Sequence, residues 1–315
     1  MRYRPLGRSG LLVSVVGLGC NNLGGRLDLE GARAVVDAAQ DCGVTLLDTA
    51  ESYGRPARMG ASEEILGEVL QGRRDEFVLA TKFGHPWGAI HGDRLGASGS
   101  RAWMRRSVVD SLRRLRTDHI DLYQLHTFDP VTPMAETVGA MQELVTEGLV
   151  RYLGHSNLAG WQIAEFAHRS QGGPGFVSAQ NHWSLLERGV EAEVVPACLH
   201  HGVGMLPYYP LASGLLSGKV TREGGIPAGS RLASRPDEVT PERLDRVEAL
   251  RAWAAQRDRT VLETAIAVLA AQPSVGSVIA GAMTPEQLRA NAAAAEWEPS
   301  AQELAEVDAI CPRGA

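Results

Sequence analysis

Short, almost uniformly apolar runs rich in Val, Ile and Leu alternate along the chain with longer segments whose apolar residues recur at helical spacing. The short runs lack the strict alternation of a strand with one wet face, so they predict parallel strands covered on both sides. They fall at residues 14–19, 45–49, 77–82, 120–126, 150–156, 176–181, 204–209 and 274–281. Helix starts lie between them. Ser62 is read as the cap of a helix carrying Ile65, Leu66, Val69 and Leu70, and Ser100 precedes a stripe of Met104, Val108, Leu112 and Leu115. Pro133 falls in the first turn of the next helix, and Thr284, Pro285 and Gln287 read as a capping box with proline at the first helical position. About eight βα units predict an α/β fold, a closed (β/α)8 barrel, as one domain over residues 1–315. A hairpin precedes the first strand, and an extra helix starts near Ser300. The rhythm breaks once, at residues 214–241, where a long polar, glycine-rich connection follows the seventh strand. Barrels keep their active sites on that face, so the connection is read as a lid.

Charge narrows the partners. A formal net charge of -6, with both signs mixed along the chain, provides no basic footprint for nucleic acid or an anionic membrane. No apolar run is long enough to cross a bilayer. Basic residues before an apolar run ending at Cys20 resemble an export signal, but the run is short and broken by serine and glycine, and a hairpin is expected instead. Cys20, Cys42, Cys198 and Cys311 are widely spaced, which suggests neither a zinc site nor a disulfide framework and fits a reducing, cytoplasmic setting. Oligomeric state has no signature in the sequence.

The candidate chemistry lies at strand ends. Asp48 closes the second strand, Tyr53 follows it, Lys82 closes the third and His126 the fourth, and carboxyl ends of barrel strands converge on one mouth. A tyrosine, with its ordinary pKa near 10, is a poor acid at neutral pH, but a neighbouring ammonium favours phenolate, so Lys82 is expected to lower that value. Asp48 would hold Lys82 charged, and His126 would hydrogen-bond a substrate oxygen. Singly, each residue has an ordinary structural explanation: an ion pair, a packing phenol or a core imidazole. Their joint placement on successive strands suits proton delivery to a carbonyl as hydride reaches its carbon.

The ordered motifs GLGCNNLGG, LLDTAESYG, LATKFG, YQLHTFDP, GHSNL, AQNHWSLLER, YYPLASGLLSGK and IAGAMTPEQLRAN resemble those of the aldo-keto reductases over essentially the whole chain. The resemblance implies a (β/α)8 barrel that binds NADP(H), with Tyr53 as general acid/base, Asp48 and Lys82 tuning it, and His126 orienting the carbonyl. It also implies that Ser156, Asn157 and Gln180 hold the nicotinamide carboxamide and that Asn21, Asn22 and Asp48 line the nicotinamide end. Leu211, Gly214 and Lys219 would line the pyrophosphate, while Gln287 and Asn291, with Gly281 and Met283, would reach the adenine end. Trp183 stands where many members carry the Tyr that stacks on the nicotinamide. Gly281, Ala282 and Met283 stand where many NADP-preferring members have a cation, so NAD(H) is the alternative and Arg289 the candidate substitute. Trp87, Phe128, Trp183 and the lid would wall a pocket for an aldehyde, ketone or quinone. His85 and His91 are read as loop polarity rather than metal ligands. Some family members serve as channel-associated β subunits with slow turnover, so a redox-sensing subunit is the second reading. A Rossmann dehydrogenase fits worse, because Gly17 and Gly19 match its fingerprint but Asn22 takes the third glycine's place. A Schiff-base aldolase needs a lysine of lowered pKa, which Asp48 would oppose.

Overall fold

The computed structural model describes residues 1–54, 58–85, 96–222, 224–227 and 229–313; Trp87 and His91 lie outside them. Strands β1 (Tyr3–Pro5) and β2 (Leu12–Ser14) pair antiparallel as the expected hairpin. Eight parallel strands follow: β3 (Val16–Gly19), β4 (Leu46–Asp48), β5 (Val78–Phe83), β6 (Ile120–Leu125), β7 (Val150–Ser156), β8 (Phe176–Gln180), β9 (Gly204–Met205) and β10 (Val278–Gly281). Their order runs β10-β3-β4-β5-β6-β7-β8-β9. Parallel bridges from Met205 to Val275 and from Tyr208 to Ile279 carry the ladder round to its start. The result is a (β/α)8 barrel. All eight expected strands are present, but β9 has only two residues. Pro207 has no N–H to extend the ladder, and Tyr209 already has a left-handed backbone, φ 52°.

Helices wrap the sheet: α1 (Leu29–Asp41), α2 (Ala61–Val69), α3 (Arg101–Leu115), α4 (Met134–Thr146), α5 (Gly160–Arg169), α6 (Val194–His201), α7 (Pro241–Ala255), α8 (Val261–Ala270), α9 (Pro285–Ala294) and the extra α10 (Ala301–Ile310). Ser100, Thr284 and Ser300 cap α3, α9 and α10 through their side chains. Two starts differ from expectation. Gly60, at φ 82°, caps α2, and Ser62 lies inside it, fully buried, bonded to Cys20 O and Thr49 Oγ1 at 2.8 Å each. Pro133 is the N-cap of α4 rather than part of its first turn.

Strand period two separates the faces. On β5, Leu79 and Phe83 join the core beneath the helices, whereas Ala80 joins a smaller core on the barrel axis. In that axial core Leu6, Leu11 and Val13 of the hairpin meet Leu46, Ala80, Leu122, Leu206 and Ile279, so the hairpin plugs the bottom of the barrel. Its turn must be glycine: Gly7 has φ 58°, and a Cβ there would lie 2.5 Å from Gly202 O. Above this plug the interior becomes polar. Leu6→Ala should therefore destabilise the protein by about 2–5 kcal/mol, read from urea unfolding, because a fully buried side chain leaves a cavity in a closed end.

Candidate active site

The floor of the upper barrel is built from one residue on each of four strands. Asp48 ends β4, Lys82 lies on β5, Gln124 on β6 and Gln180 ends β8, all buried. Lys82 Nζ donates to Asp48 Oδ2 at 2.6 Å and to Thr49 O at 3.0 Å, and reaches Tyr53 OH at 3.4 Å. Asp48 Oδ1 accepts from Gln124 Nε2 at 3.1 Å and from Gln180 Nε2 at 2.9 Å. Room for Gln124 comes from Gly154 on β7, where a Cβ would sit 3.0 Å from the glutamine Cγ and 2.2 Å from Ser178 Oγ. Burial works against the charge on Lys82, but Asp48 and Tyr53 outweigh it and raise the ammonium's pKa above its ordinary value. A Schiff-base role is disfavoured on this geometry.

Tyr53, His126 and His85 form the wall above. The Tyr53 and His126 rings meet edge to face with centroids 5.9 Å apart, and His85 meets His126 in the same manner at 4.7 Å. Burial pushes the Tyr53 phenol above its ordinary pKa; Lys82 pulls it down, but Asp48 adds to the rise. The expected net depression is thus reversed, because desolvation and the carboxylate outweigh the ammonium. Burial, then Lys82 and His85, hold His126 neutral, well below the usual histidine range.

Glu51, which sequence reading passed over, ties the Tyr53 segment to β5. Its N–H donates to Lys82 O at 3.0 Å and its Oε1 accepts from Gly84 N at 2.9 Å. The carboxyl is buried near Glu63 and Arg114, and burial raises its pKa to about 7 against the opposing bonds from Gly84 and Ser107. Glu63 in turn accepts from Thr81 Oγ1 and Arg114 Nε, both at 2.6 Å.

A cavity of about 790 Å³ opens over the floor, large enough for a dinucleotide and a small substrate. Of the expected cofactor residues, Asn21, Asn22, Asp48, Ser156, Asn157, Gln180, Leu211, Gly214, Lys219, Gly281, Met283, Gln287 and Asn291 line it, as do Tyr53 and His126. Ser156 Oγ donates to Gln180 O at 2.8 Å, and Asn157, at φ 60°, donates to His126 O at 3.0 Å. Gln287 Oε1 accepts from Met283 N at 2.9 Å, one residue beyond what a capping box requires, and Asn291 donates to Gly281 O at 3.3 Å.

Three expectations fail on position. The Trp183 indole is buried, donates to Glu191 Oε1 at 2.9 Å and does not reach the cavity. Tyr208 takes that aspect instead, lining the cavity and donating to Asn157 Oδ1 at 2.8 Å. Phe128 packs edge-on to Trp161, off the cavity lining, at a centroid distance of 6.1 Å. Arg289 is half-exposed beside Asp41, 3.9 Å away, and does not substitute for the missing cation at Met283. Among the described residues, the cations that do line the cavity are Arg26, Lys219, Arg231 and Arg235. Arg231 donates to Asn22 Oδ1 at 2.9 Å and lies over the Tyr209 ring, which brings the 229–235 segment against the mouth. His85, in the loop after β5, also lines the cavity. No cluster of three or more His, Cys, Asp or Glu able to hold a metal occurs among the described residues. No helix there is long and apolar enough to cross a membrane.

The profile of the Aldo/keto reductase family matches residues 15–312. The chain is 38% identical to the uncharacterized oxidoreductase YrpG of Bacillus subtilis (strain 168), covering 92% of this chain and 89% of that one. It is 34% identical to the NADH-specific methylglyoxal reductase of Escherichia coli (strain K12), covering 93% of each. A probable voltage-gated potassium channel subunit beta of Oryza sativa subsp. japonica is 35% identical, over 92% of this chain and 90% of its own length.

The Glu51 carboxyl carries a stability prediction with a definite sign. The folded state keeps its proton to about pH 7, whereas the unfolded chain releases it near the ordinary 4.5. Between these values the folded state binds more protons, so stability falls as pH rises through that window. At ~1.4 kcal/mol per pH unit the loss is on the order of 3 kcal/mol. Urea unfolding at pH 5 and pH 7.5 should show this loss in the wild type and a much flatter profile in Glu51→Gln.

Proposed function

The chain belongs to the aldo/keto reductase family of NAD(P)H-dependent oxidoreductases, and on that premise we propose that it reduces a small aldehyde, ketone or quinone to the alcohol, with Tyr53 as proton donor. The observation that carries this reading is Lys82 Nζ, bonded to Asp48 and within reach of Tyr53 OH on the floor of a dinucleotide-sized cavity. A bound nicotinamide would supply hydride to the carbonyl carbon. The raised pKa keeps Tyr53 a phenol at neutral pH, ready to protonate the oxygen. Lys82 stabilises the phenolate as it forms, and does so without reorganising because its position is already set. Neutral His126 can donate an N–H to the carbonyl oxygen without competing as an acid.

The chain's polar groups support a nicotinamide cofactor. Gln180 commits its amide N–H groups to Asp48 and Gln124, which leaves its carbonyl oxygen to accept from a carboxamide, beside Ser156 and Asn157. Lys219, Arg231 and Arg235 suit phosphates, and Asp48, paired with Lys82, is the sole acidic side chain among the described lining residues. These lid cations favour NADP(H) despite Met283; the similarity to an NADH-specific reductase supports NAD(H) as the alternative. Four free cysteines, three of them buried, favour a reducing compartment such as the cytoplasm. The likeness to a potassium channel β subunit supports a second reading, a cofactor-retaining redox sensor with slow turnover.

Oxidation of NADPH and NADH with a panel of aldehydes, ketones and quinones tests both readings. Tyr53→Phe should cut turnover about 10²–10⁴-fold while leaving cofactor affinity nearly intact, since it removes only the donor proton. Full activity in this variant would exclude Tyr53 as the acid. Stoichiometric reduction followed by tight retention of oxidised cofactor would favour the sensor. Arg231→Ala should weaken NADPH binding about 10–100-fold, the worth of a charge-assisted hydrogen bond, with the loss read by cofactor fluorescence.

A further inference from the structure

We propose that Glu51 is a positioning residue for proton delivery, holding the Tyr53 segment in register with Lys82 through the bond between its carboxyl and Gly84 N; the inference rests on the carbonyl-reductase reading above. That reaction needs the Tyr53 hydroxyl beside the Lys82 ammonium as the carbonyl oxygen takes the proton, and the two residues belong to different elements. Lys82 is fixed within β5, and its ammonium is bonded to Asp48 Oδ2 and Thr49 O. Tyr53 lies five residues past the end of β4, and its own bonds are less secure. Its N–H closes a turn onto Ala50 O at 3.0 Å, its carbonyl accepts from Ser62 N at 3.5 Å, and its hydroxyl is 3.4 Å from Lys82 Nζ. The two that reach beyond the turn are at the long limit of a hydrogen bond and do not by themselves fix the distance from phenol to ammonium.

Glu51 supplies the firmer attachment. Past β4 the chain stays on β5 through Thr49 N to Ala80 O at 2.8 Å and Glu51 N to Lys82 O at 3.0 Å, a ladder that any residue but proline could continue. The Glu51 side chain then adds a bond that its own chemistry decides, Oε1 accepting from Gly84 N at 2.9 Å. Backbone and side chain together grip β5 on both sides of Phe83, one of the bonds at Lys82 itself, two residues before Tyr53. Glu51 and Gly84 are both buried, so water cannot take over as the acceptor when the carboxyl is removed. Glu51 does not line the cavity, whereas Asp48, Ser52 and Tyr53 around it do. Its effect on the reaction therefore passes through the placement of Tyr53 and not through contact with substrate or cofactor. The groups bearing on its carboxyl are Glu63 of α2, Ser107 and Arg114 of α3, and Tyr123 of β6. Those bearing on the Tyr53 phenol are Lys82, Asp48, Tyr208, Tyr209 and His126.

The wild type, Glu51→Leu and Glu51→Gln would be assayed with NADPH and a reducible carbonyl, and in reverse with NADP+ and the product alcohol across a range of pH. Leucine fills the volume but accepts no hydrogen bond; glutamine keeps the acceptor oxygen and, like leucine, lacks the charge, so the difference between the two isolates the bond. The role predicts a kcat about 10–100-fold lower in Glu51→Leu, with KM and cofactor affinity close to wild type, and recovery of most of that loss in Glu51→Gln. Alcohol oxidation needs the phenolate, so its acid limb reports the Tyr53 pKa. With the Lys82 ammonium farther away, the limb should move to higher pH by about one unit in Glu51→Leu and stay near the wild-type position in Glu51→Gln. If Glu51→Leu does not fold, Glu51→Asp, one methylene shorter and so drawn back from Gly84 N, carries the same expectations. A wild-type kcat with an unmoved limb would overturn the role. So would an equal loss in Glu51→Gln, or a loss expressed as raised KM with the limb in place, either of which would make Glu51 a packing residue. Absence of carbonyl-dependent turnover in the wild type would instead sink the reductase reading, and the role with it.

Discussion

The upper barrel depends on the buried Asp48–Lys82 ion pair. Bringing two charges out of water costs several kcal/mol each, and mutual attraction offsets this only where the remaining hydrogen-bonding capacity is filled. Here it is filled. Gln124 and Gln180 donate to the second carboxylate oxygen, while Thr49 O and Tyr53 OH take the other ammonium protons. Removing one partner would strand the other charge, a loss of about 3–5 kcal/mol, which explains why the surrounding side chains and the absent side chain of Gly154 conform to the pair.

That constraint passes outward through the loops. Tyr53 reaches Lys82 because the segment after β4 is bound to β5 by Glu51, through its own N–H and its carboxyl, and to the β3 end through Ser62. Across the mouth, Tyr209, Ala212 and Ser213 all have positive φ, at 52°, 46° and 58°. Non-glycine residues hold such conformations at a cost of about 1–3 kcal/mol each, so local strain is concentrated where the chain turns from β9 into the lid. The axial core below, closed by the hairpin, supplies a rigid base for this polar and strained upper layer.

Much of this was legible in sequence, for a physical reason. Continuous apolar runs mark strands covered on both faces and helical spacing marks the dry face of a helix, and barrel topology then brings strand ends together; Asp48, Lys82 and His126 needed nothing more to be placed near one another. Trp183, Phe128 and Arg289 show the limit. Their side chains meet Glu191, Trp161 and Asp41 respectively and do not line the cavity. Proximity along the chain sets where a Cα lies, while packing sets where a long side chain points. Ser62 shows the converse: a residue with a cap's chemistry was drawn inside the helix because Gly60 could take the left-handed turn.

By itself the sequence determined the (β/α)8 architecture, the hairpin and the identity of the polar residues at the strand ends, because burial periodicity and turn chemistry are local properties. The tertiary structure alone decided that Glu51 binds the Tyr53 segment to β5, that Arg231 rather than Arg289 reaches the cavity, that Tyr208 rather than Trp183 faces it, and that burial raises the Tyr53 pKa where Lys82 alone would lower it. These outcomes depend on distances between segments remote in sequence and on how thoroughly water is excluded around them, and neither quantity is written in any local pattern.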